Sequence, residues 1–124
     1  MMKTVIRVTI VSLVLGASVS ANAVTESWKA TIVRTSLDAN LYGGCIAVVS
    51  PGPETQGLPS CTAGFVTMDC EGLQGGSKQF GQNSLGAMQL ALVTNTQVKI
   101  FVTDAGKINN VCRVKRVDNF APAG

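Results

Sequence analysis

The sequence contains no histidine in its 124 residues. Histidine is the side chain that most often acts as a general base, and it is the commonest transition-metal ligand in proteins. Its absence excludes Ser-His-Asp and Cys-His catalysis. Paired carboxylates remain, because Asp69 and Glu71 alternate to one side of a predicted strand. We interpret these two as solvated residues at a strand end, and we predict that the protein is not an enzyme.

Charged and aromatic residues are also scarce, at 14% and 5% of the chain. The formal net charge of +3 falls to +1 without the two basic residues of the N-terminal segment. A nucleic-acid-binding domain needs a basic face, so nucleic acid is excluded as a partner. We interpret the one basic cluster, Arg113, Lys115 and Arg116, as a solvated strand face, with an anion-binding patch as the alternative. The single tryptophan, Trp28, is interpreted as a core residue or a plug at a barrel end.

The N-terminal segment has the pattern of an export signal. Lys3 and Arg7 are basic, residues 8–19 are uncharged and mostly apolar, and an Ala-Asn-Ala sequence ends at position 23. This pattern predicts a cleavable signal peptide over residues 1–23. A retained anchor is the alternative, but a membrane span needs about 20 apolar residues. We expect residues 24–124 to form a single domain, secreted or periplasmic in a bacterium, with no membrane span after cleavage.

All of the cysteines lie after this segment. An even number of cysteines in a small exported domain predicts a disulfide framework. A zinc site is the alternative, but no two of these cysteines have the C-x-x-C spacing that such sites favour. We therefore predict two disulfides, no metal and no cofactor. The four cysteines are Cys45, Cys61, Cys70 and Cys112.

The hydrophobic pattern predicts a mainly β domain with one helix. Leu85, Met88 and Leu92 recur at helical spacing, with Ser77 or Ser84 as the cap and Asn95 at the end. Alternating β-branched and apolar residues predict strands elsewhere. The resulting order predicts a five-stranded OB-like Greek-key barrel with the helix between strands 3 and 4. An open antiparallel sheet packed on one helix is the alternative. The five predicted strands cover residues 28–37, 41–49, 64–70, 97–104 and 111–118.

The apolar pattern of the second and third strands also predicts how they pair. If their apolar residues share one face, Ala47 lies opposite Met68 and Cys45 opposite Cys70. The remaining two cysteines then meet where the third and fifth strands run parallel. Four cysteines allow three pairings, so the pairing is a hypothesis. The predicted disulfides are Cys45–Cys70 and Cys61–Cys112.

Two predicted loops are rich in side chains that bind hydroxyl groups. One contains Asn40 and Tyr42, and the other contains Lys107, Asn109 and Asn110. Amide and phenol groups donate and accept hydrogen bonds, which suits sugar hydroxyls. These five residues are the candidate ligand-binding site, with ordinary turn residues as the alternative interpretation.

Two segments resemble known proteins: M-Q-L-A-L-V-T-N-T-Q-V-K-I-F-V-T-D over residues 88–104 and N-N-V-C-R-V-K-R-V-D-N over residues 109–119. They resemble a group of small exported bacterial proteins. The layout of residues 28–119 is similar to the B subunits of AB-type toxins, of the pertussis and subtilase-cytotoxin kind. This resemblance implies an OB-fold, assembly into a ring of five subunits and binding of cell-surface glycans.

These observations favour an exported, non-enzymatic binding module. Its partner is expected to be a glycan or cell-surface receptor, and the module is expected to be a homo-oligomer, a pentamer by the resemblance. The alternative is a periplasmic structural or inhibitor protein that acts through a protein partner, because a barrel of this kind serves many functions.

Overall fold

The computed structural model describes residues 22–121. The predicted signal peptide therefore lies outside the described residues, apart from its last two positions. The chain forms β1 (Thr25–Leu37), β2 (Cys45–Ser50), a 3-10 turn (Pro53–Thr55), β3 (Phe65–Thr67), α1 (Lys78–Thr94), β4 (Gln97–Ile108) and β5 (Val111–Asn119). The strands close into a barrel in the order β1-β2-β3-β5-β4. The predicted five-stranded OB-like barrel is confirmed, with its helix between strands 3 and 4, and the open sheet is excluded.

β1 supplies two sides of the barrel wall. Residues 25–31 pair with β4, and residues 31–37 pair with β2, both antiparallel. The pairing with β2 shifts between Ile32 and Arg34, which leaves Val33 as an extra residue. Such a bulge bends a strand and increases its twist. One long strand can therefore turn from one neighbour to the next and help to close the barrel.

The core is built from the inward-facing residues of the strands. Successive side chains on a strand point to opposite faces, so alternate residues face inward. On β1 and β4 the inward residues are at most 7% exposed, while their neighbours Lys29 and Lys99 lie on the outer face. The inward residues of these two strands are Trp28, Ala30, Ile32, Val98, Ile100 and Val102.

The ends of α1 are defined by local hydrogen bonds. The Oγ atom of Ser77 accepts a hydrogen bond from the backbone N–H of Phe80 at 2.9 Å, so Ser77 is the N-cap. The helix ends at Asn95, which adopts the left-handed conformation with φ of 52°. Serine at the start and asparagine at the end are common helix caps. Of the two predicted caps, Ser77 is correct, and Ser84 lies inside the helix.

The buried face of α1 differs in part from the predicted stripe. Met88 is fully buried as predicted, but Leu92 is 37% exposed. The reason is Gly81: a Cβ atom there would lie 2.6 Å from the carbonyl oxygen of Asp69, so the missing side chain allows the first turns to pack directly on backbone. The contact face consequently starts at residue 81. Its buried members are Gly81, Ser84, Met88 and Ala91.

The pairing of β2 with β3 is shifted by two residues from the prediction. Ala47 lies opposite Val66 and not opposite Met68. β3 is also shorter than predicted, because it ends at Thr67 and the chain turns at Asp69, where φ is 53°. A shift of two residues keeps every side chain on its predicted face, so the core remains apolar.

Both predicted disulfides are present in the structure. Cys45 is bonded to Cys70 with a Cα–Cα distance of 5.8 Å, and Cys61 is bonded to Cys112 with a Cα–Cα distance of 5.4 Å. Cys70 lies beyond the end of β3, where the turn after Thr67 brings it back to the start of β2. The two bonds therefore flank the shortest strand of the barrel.

The hairpin of β4 and β5 is longer than predicted. β4 continues to Ile108, whereas the sequence predicts its end at residue 104. The predicted loop over residues 106–110 is reduced to the turn at Asn109 and Asn110, which have φ of 49° and 67°. Two consecutive residues with positive φ are typical of the tight turns that match the twist of a hairpin.

Candidate functional site

Two connections meet at one end of β4: residues 38–44, between β1 and β2, and the Asn109–Asn110 turn. The side-chain nitrogen of Asn109 donates a hydrogen bond to the carbonyl oxygen of Leu41. The carbonyl oxygen of Asn110 accepts two hydrogen bonds from Thr62, one from its backbone N–H and one from its hydroxyl, both at 3.0 Å. We call residues 38–44, 62 and 109–110 the loop cluster.

Hydrogen bonds hold the first of these connections in place. The Oδ1 atom of Asp38 accepts from the backbone N–H groups of Tyr42 at 3.0 Å and Gly44 at 3.3 Å. The hydroxyl of Thr67 donates to the carbonyl oxygen of Tyr42 at 2.6 Å. Thr67 is fully buried in β3, so the backbone of Tyr42 is attached to the barrel wall. The side chain of Tyr42 therefore starts from a fixed position.

A small depression opens in the loop cluster. Its volume is about 90 Å³. Two of the predicted site residues, Tyr42 and Asn109, line it together. Ligand pockets for drug-sized molecules usually measure about 300–1,000 Å³. This depression therefore suits one substituent of a ligand and not a whole ring. The lining residues are Tyr42, Thr62, Phe65, Asn109 and Val111.

The other three predicted site residues do not line the depression. Asn40 is exposed with φ of 91° in the connection after β1. Lys107 is half-buried near the end of β4. Asn110 is exposed, and its carbonyl oxygen holds Thr62. The structure thus brings Tyr42 and Asn109 together and places the remaining three around them as turn and strand residues.

Sequence reasoning missed three lining residues: Thr62, Phe65 and Val111. Thr62 follows Cys61, and Val111 precedes Cys112, so the disulfide between these two cysteines brings both side chains to the loop cluster. Phe65 is the first residue of β3 and is only half-buried. An aromatic residue at the start of a strand, shortly after the bonded Cys61, is the one signal in the sequence that could have pointed here.

A larger groove lies at the other end of β4. Its volume is about 340 Å³. It is formed where α1 ends, β4 begins and the chain leaves β5. The ammonium group of Lys29 lies 4.9 Å from the centroid of the Phe120 ring, within the range of a cation–π contact. The residues that line the groove are Lys29, Asn95, Thr96, Gln97, Phe120 and Ala121.

The interpretation of Asp69 as a solvated strand residue is wrong. Asp69 is only 3% exposed, because the chain turns inward after β3. Its carboxylate accepts hydrogen bonds from the backbone N–H groups of Leu73 at 2.9 Å and Gln74 at 3.0 Å. Glu71 is half-buried and follows this turn. The carboxylate of Asp69 therefore organises residues 69–74, which is a structural role.

The basic cluster of β5 has mixed surroundings. Arg113 is half-buried, and one of its terminal nitrogens donates to the carbonyl oxygen of Gln74 at 3.0 Å. Lys115 is exposed. Arg116 pairs with Asp118 at 2.8 Å and lies 4.9 Å from the Phe101 ring centroid. Arg113 thus fastens the loop that follows β3, and only the other two side chains lie on an exposed strand face.

Trp28 lies in the core and is 7% exposed. Its ring nitrogen donates a hydrogen bond to the carbonyl oxygen of Pro51 at 2.9 Å. The ring is therefore packed inside the barrel, as one of the sequence interpretations expects, and it is not a surface for stacking a ligand.

Comparison with known protein families, curated proteins and solved structures finds no match to this chain. Within residues 22–121, no three side chains from histidine, cysteine, aspartate and glutamate lie close enough to hold a metal ion. In the same part of the chain, no helix has the length and hydropathy needed to cross a bilayer. The site is therefore defined by its own geometry alone.

Proposed function

We propose that the protein is an exported, non-enzymatic binding module that recognises a cell-surface glycan through the loop cluster. The observation that supports this most directly is the depression in which Tyr42 and Asn109 meet Phe65. Sugars present apolar C–H faces beside hydroxyl groups. A site for one sugar substituent therefore needs aromatic and amide side chains next to each other.

The hydrogen-bonding capacity of the depression supports this proposal. The hydrogen bonds of Tyr42 within residues 22–121 use its backbone groups, which leaves its hydroxyl for a ligand. The amide nitrogen of Asn109 donates a hydrogen bond to the carbonyl oxygen of Leu41, so the amide oxygen of Asn109 is the group that would accept a hydrogen bond from a ligand. Because the protein already fixes the backbone of Tyr42 and the amide of Asn109, ordering these groups on binding costs little conformational entropy.

Export and assembly are part of the proposal. The two disulfides are compatible with an oxidising compartment, either the periplasm or the extracellular space. A depression of this size makes few contacts with a ligand, so one copy would bind weakly. A homo-oligomer, a pentamer as the resemblance to toxin B subunits implies, would raise the overall affinity by presenting several copies of the site to one surface.

The test is a glycan array probed with the unreduced protein and two matched variants. Asn109→Gly removes a lining side chain but tolerates the positive φ of the turn. Asn110→Gly makes the same change at the adjacent position, which does not line the depression. We expect Asn109→Gly to weaken glycan binding at least about tenfold, equivalent to about 1.4 kcal/mol, and Asn110→Gly to leave it unchanged.

Equal binding by the protein and Asn109→Gly would remove the loop cluster from the proposal. An array with no bound glycan would remove glycan recognition itself. Circular dichroism of both variants provides the folding control, because each variant must keep the spectrum of the protein for the comparison to count.

Exposed apolar residues favour the second candidate, a periplasmic structural or inhibitor protein with a protein partner. Val33, Leu37 and Leu41 are 56%, 75% and 61% exposed along β1 and the connection that follows. Such residues suit contact with another protein. Native mass spectrometry separates the candidates: a pentamer supports the ring-forming binding module, and a strict monomer supports the alternative.

A further inference from the structure

The groove has features that the loop cluster lacks. Its volume of about 340 Å³ lies within the usual range for small-molecule sites. It combines one cation, two amide side chains, one hydroxyl and one aromatic ring. A ligand that matches all of these groups carries a negative charge, several hydroxyls and an apolar face.

We propose that this groove is a second binding site, for a small polyol that carries a carboxylate, such as a uronic acid. The carboxylate would bind the ammonium group of Lys29. The hydroxyls would bind Asn95 and Gln97, and the Thr96 hydroxyl, which is already hydrogen-bonded to Thr94 at 2.9 Å, would add one further bond. The C–H face of the ligand would lie towards Phe120.

The surrounding charges support an anionic ligand. Lys29 lies directly opposite Lys99 in the β1–β4 ladder, and Lys99 lies opposite Asp118 in the β4–β5 ladder. The carboxylate of Asp118 is paired with Arg116 at 2.8 Å. Within residues 22–121 neither lysine takes part in an ion pair. Two cations thus lie side by side with aromatic rings but no carboxylate as partners, and an anion bound at Lys29 would reduce their repulsion.

The Phe120 ring positions the cation. The Lys29 ammonium lies 4.9 Å from the ring centroid. A cation–π contact uses the positive charge but leaves N–H groups of the ammonium free to donate to an anion. The ring therefore restrains the flexible Lys29 side chain, so this side chain loses less conformational entropy when a ligand binds.

The end of α1 sets the orientation of the ligand. The carbonyl end of a helix carries partial negative charge, which repels a carboxylate. Here the carbonyl oxygens of Ala91 and Leu92 already accept from the backbone N–H of Asn95, and that of Ala91 also accepts from Thr96. The partial negative charge therefore directs the carboxylate away from the helix end and towards Lys29. Because the carbonyl oxygens are occupied, the ligand hydroxyls bind the side chains that follow the helix.

The test is an NMR titration of the isotopically labelled, unreduced protein. The probes are D-glucuronate, D-glucose and acetate. We expect glucuronate to shift the backbone resonances of Asn95, Thr96, Gln97 and Phe120. We expect glucose and acetate to bind at least about tenfold more weakly, because each lacks one half of the recognition.

Two variants complete the experiment. Lys29→Gln removes the charge in the groove, and we expect it to weaken glucuronate binding about tenfold. Lys115→Gln removes an exposed charge that does not line the groove and should leave binding unchanged. Each variant must retain the dispersed spectrum of the folded protein.

Each other outcome overturns a stated part of the proposal. Equal binding of glucose overturns the role of the carboxylate, and equal binding of acetate overturns the polyol. Equal weakening by both lysine variants indicates non-specific attraction and overturns the site. Shifts confined to Tyr42, Thr62 and Asn109 would place the ligand in the loop cluster, which overturns the groove and leaves the proposed glycan recognition standing.

Discussion

The two sides of the barrel are stabilised in different ways. On one side β1, β4 and β5 are 13, 12 and 9 residues long and form extended ladders. On the other side β3 has only 3 residues and joins β2 to β5. Each disulfide has one cysteine close to β3, Cys61 just before it and Cys70 just after it, and joins that cysteine to a neighbouring strand, β5 or β2. Covalent bonds thus replace the backbone hydrogen bonds that a short strand cannot form.

This contrast also separates the two candidate sites. The depression lies beside Cys61 and Cys112, on the disulfide-bonded side. The groove lies on the ladder side, at the start of β4. A side made of turns and disulfides can present loop residues without long strands to position them. The ladder side presents two of the groove's lining residues, Lys29 and Gln97, from regular strand positions.

Removal of the Cys61–Cys112 disulfide should give the largest effect on stability. The bond joins residues 51 positions apart. The chain-entropy model gives about 4 kcal/mol for a loop of this length. In a domain of about 100 residues this should lower Tm by about 15–30 °C. The decrease in Tm is measured by thermal unfolding of the Cys61→Ala/Cys112→Ala double variant, monitored by circular dichroism.

The comparison with the second disulfide sharpens this prediction. Cys45 and Cys70 are only 25 positions apart, so the matching double alanine variant should lose slightly less, about 3.5 kcal/mol. Hydrogen exchange in either variant should increase first in β3 and later in the β1–β4 ladder. Simultaneous loss of protection on both sides would contradict the division of the barrel into two differently stabilised halves.

The sequence predicts the regular parts of this fold well. Alternation in β1 and β4 identifies the inward residues, because the period of a strand is two. Alternation cannot distinguish registers that differ by two residues, so it predicts Ala47 opposite Met68, whereas the structure pairs Ala47 with Val66. The sequence does not reveal the turn at Asp69, because positive φ is uncommon outside glycine.

The candidate sites are predictable only where local turn chemistry reveals them. Tyr42 and Asn109 belong to turn-rich segments, and the sequence singles them out. Lys29 and Phe120 meet only because the long ladders of β1, β4 and β5 bring distant residues together. No local pattern in the sequence marks either of them. The groove therefore follows from the three-dimensional fold.

Two glycines of α1 provide the second test of the comparison. Gly81 packs on the turn that follows β3, where a Cβ atom would lie 2.6 Å and 2.7 Å from the carbonyl oxygens of Asp69 and Met68. We expect Gly81→Ala to destabilise the protein by about 1–3 kcal/mol, because backbone must move to admit the methyl group. Urea unfolding measures this change.

Gly86 is the matched control on the same helix. A Cβ atom there meets nothing within 4 Å. Gly86→Ala should therefore stabilise the protein by up to about 1 kcal/mol through helix propensity alone. Opposite signs for the two alanine substitutions are expected. A stabilising Gly81→Ala would show that α1 is not fixed by its contact with the disulfide-bonded side.

On the ladder side, Trp28 should give a smaller loss of stability than either disulfide. Trp28→Phe removes the hydrogen bond from the ring nitrogen to the carbonyl oxygen of Pro51, a contact of 2.9 Å. Pro51 is exposed, so water can replace the lost donor, but the smaller ring also leaves space in the core, and the total cost should be about 1–3 kcal/mol. Urea unfolding followed by circular dichroism measures the loss. A loss as large as that from removing either disulfide would show that the ladders depend on this one contact, and the contrast between the two sides would fail.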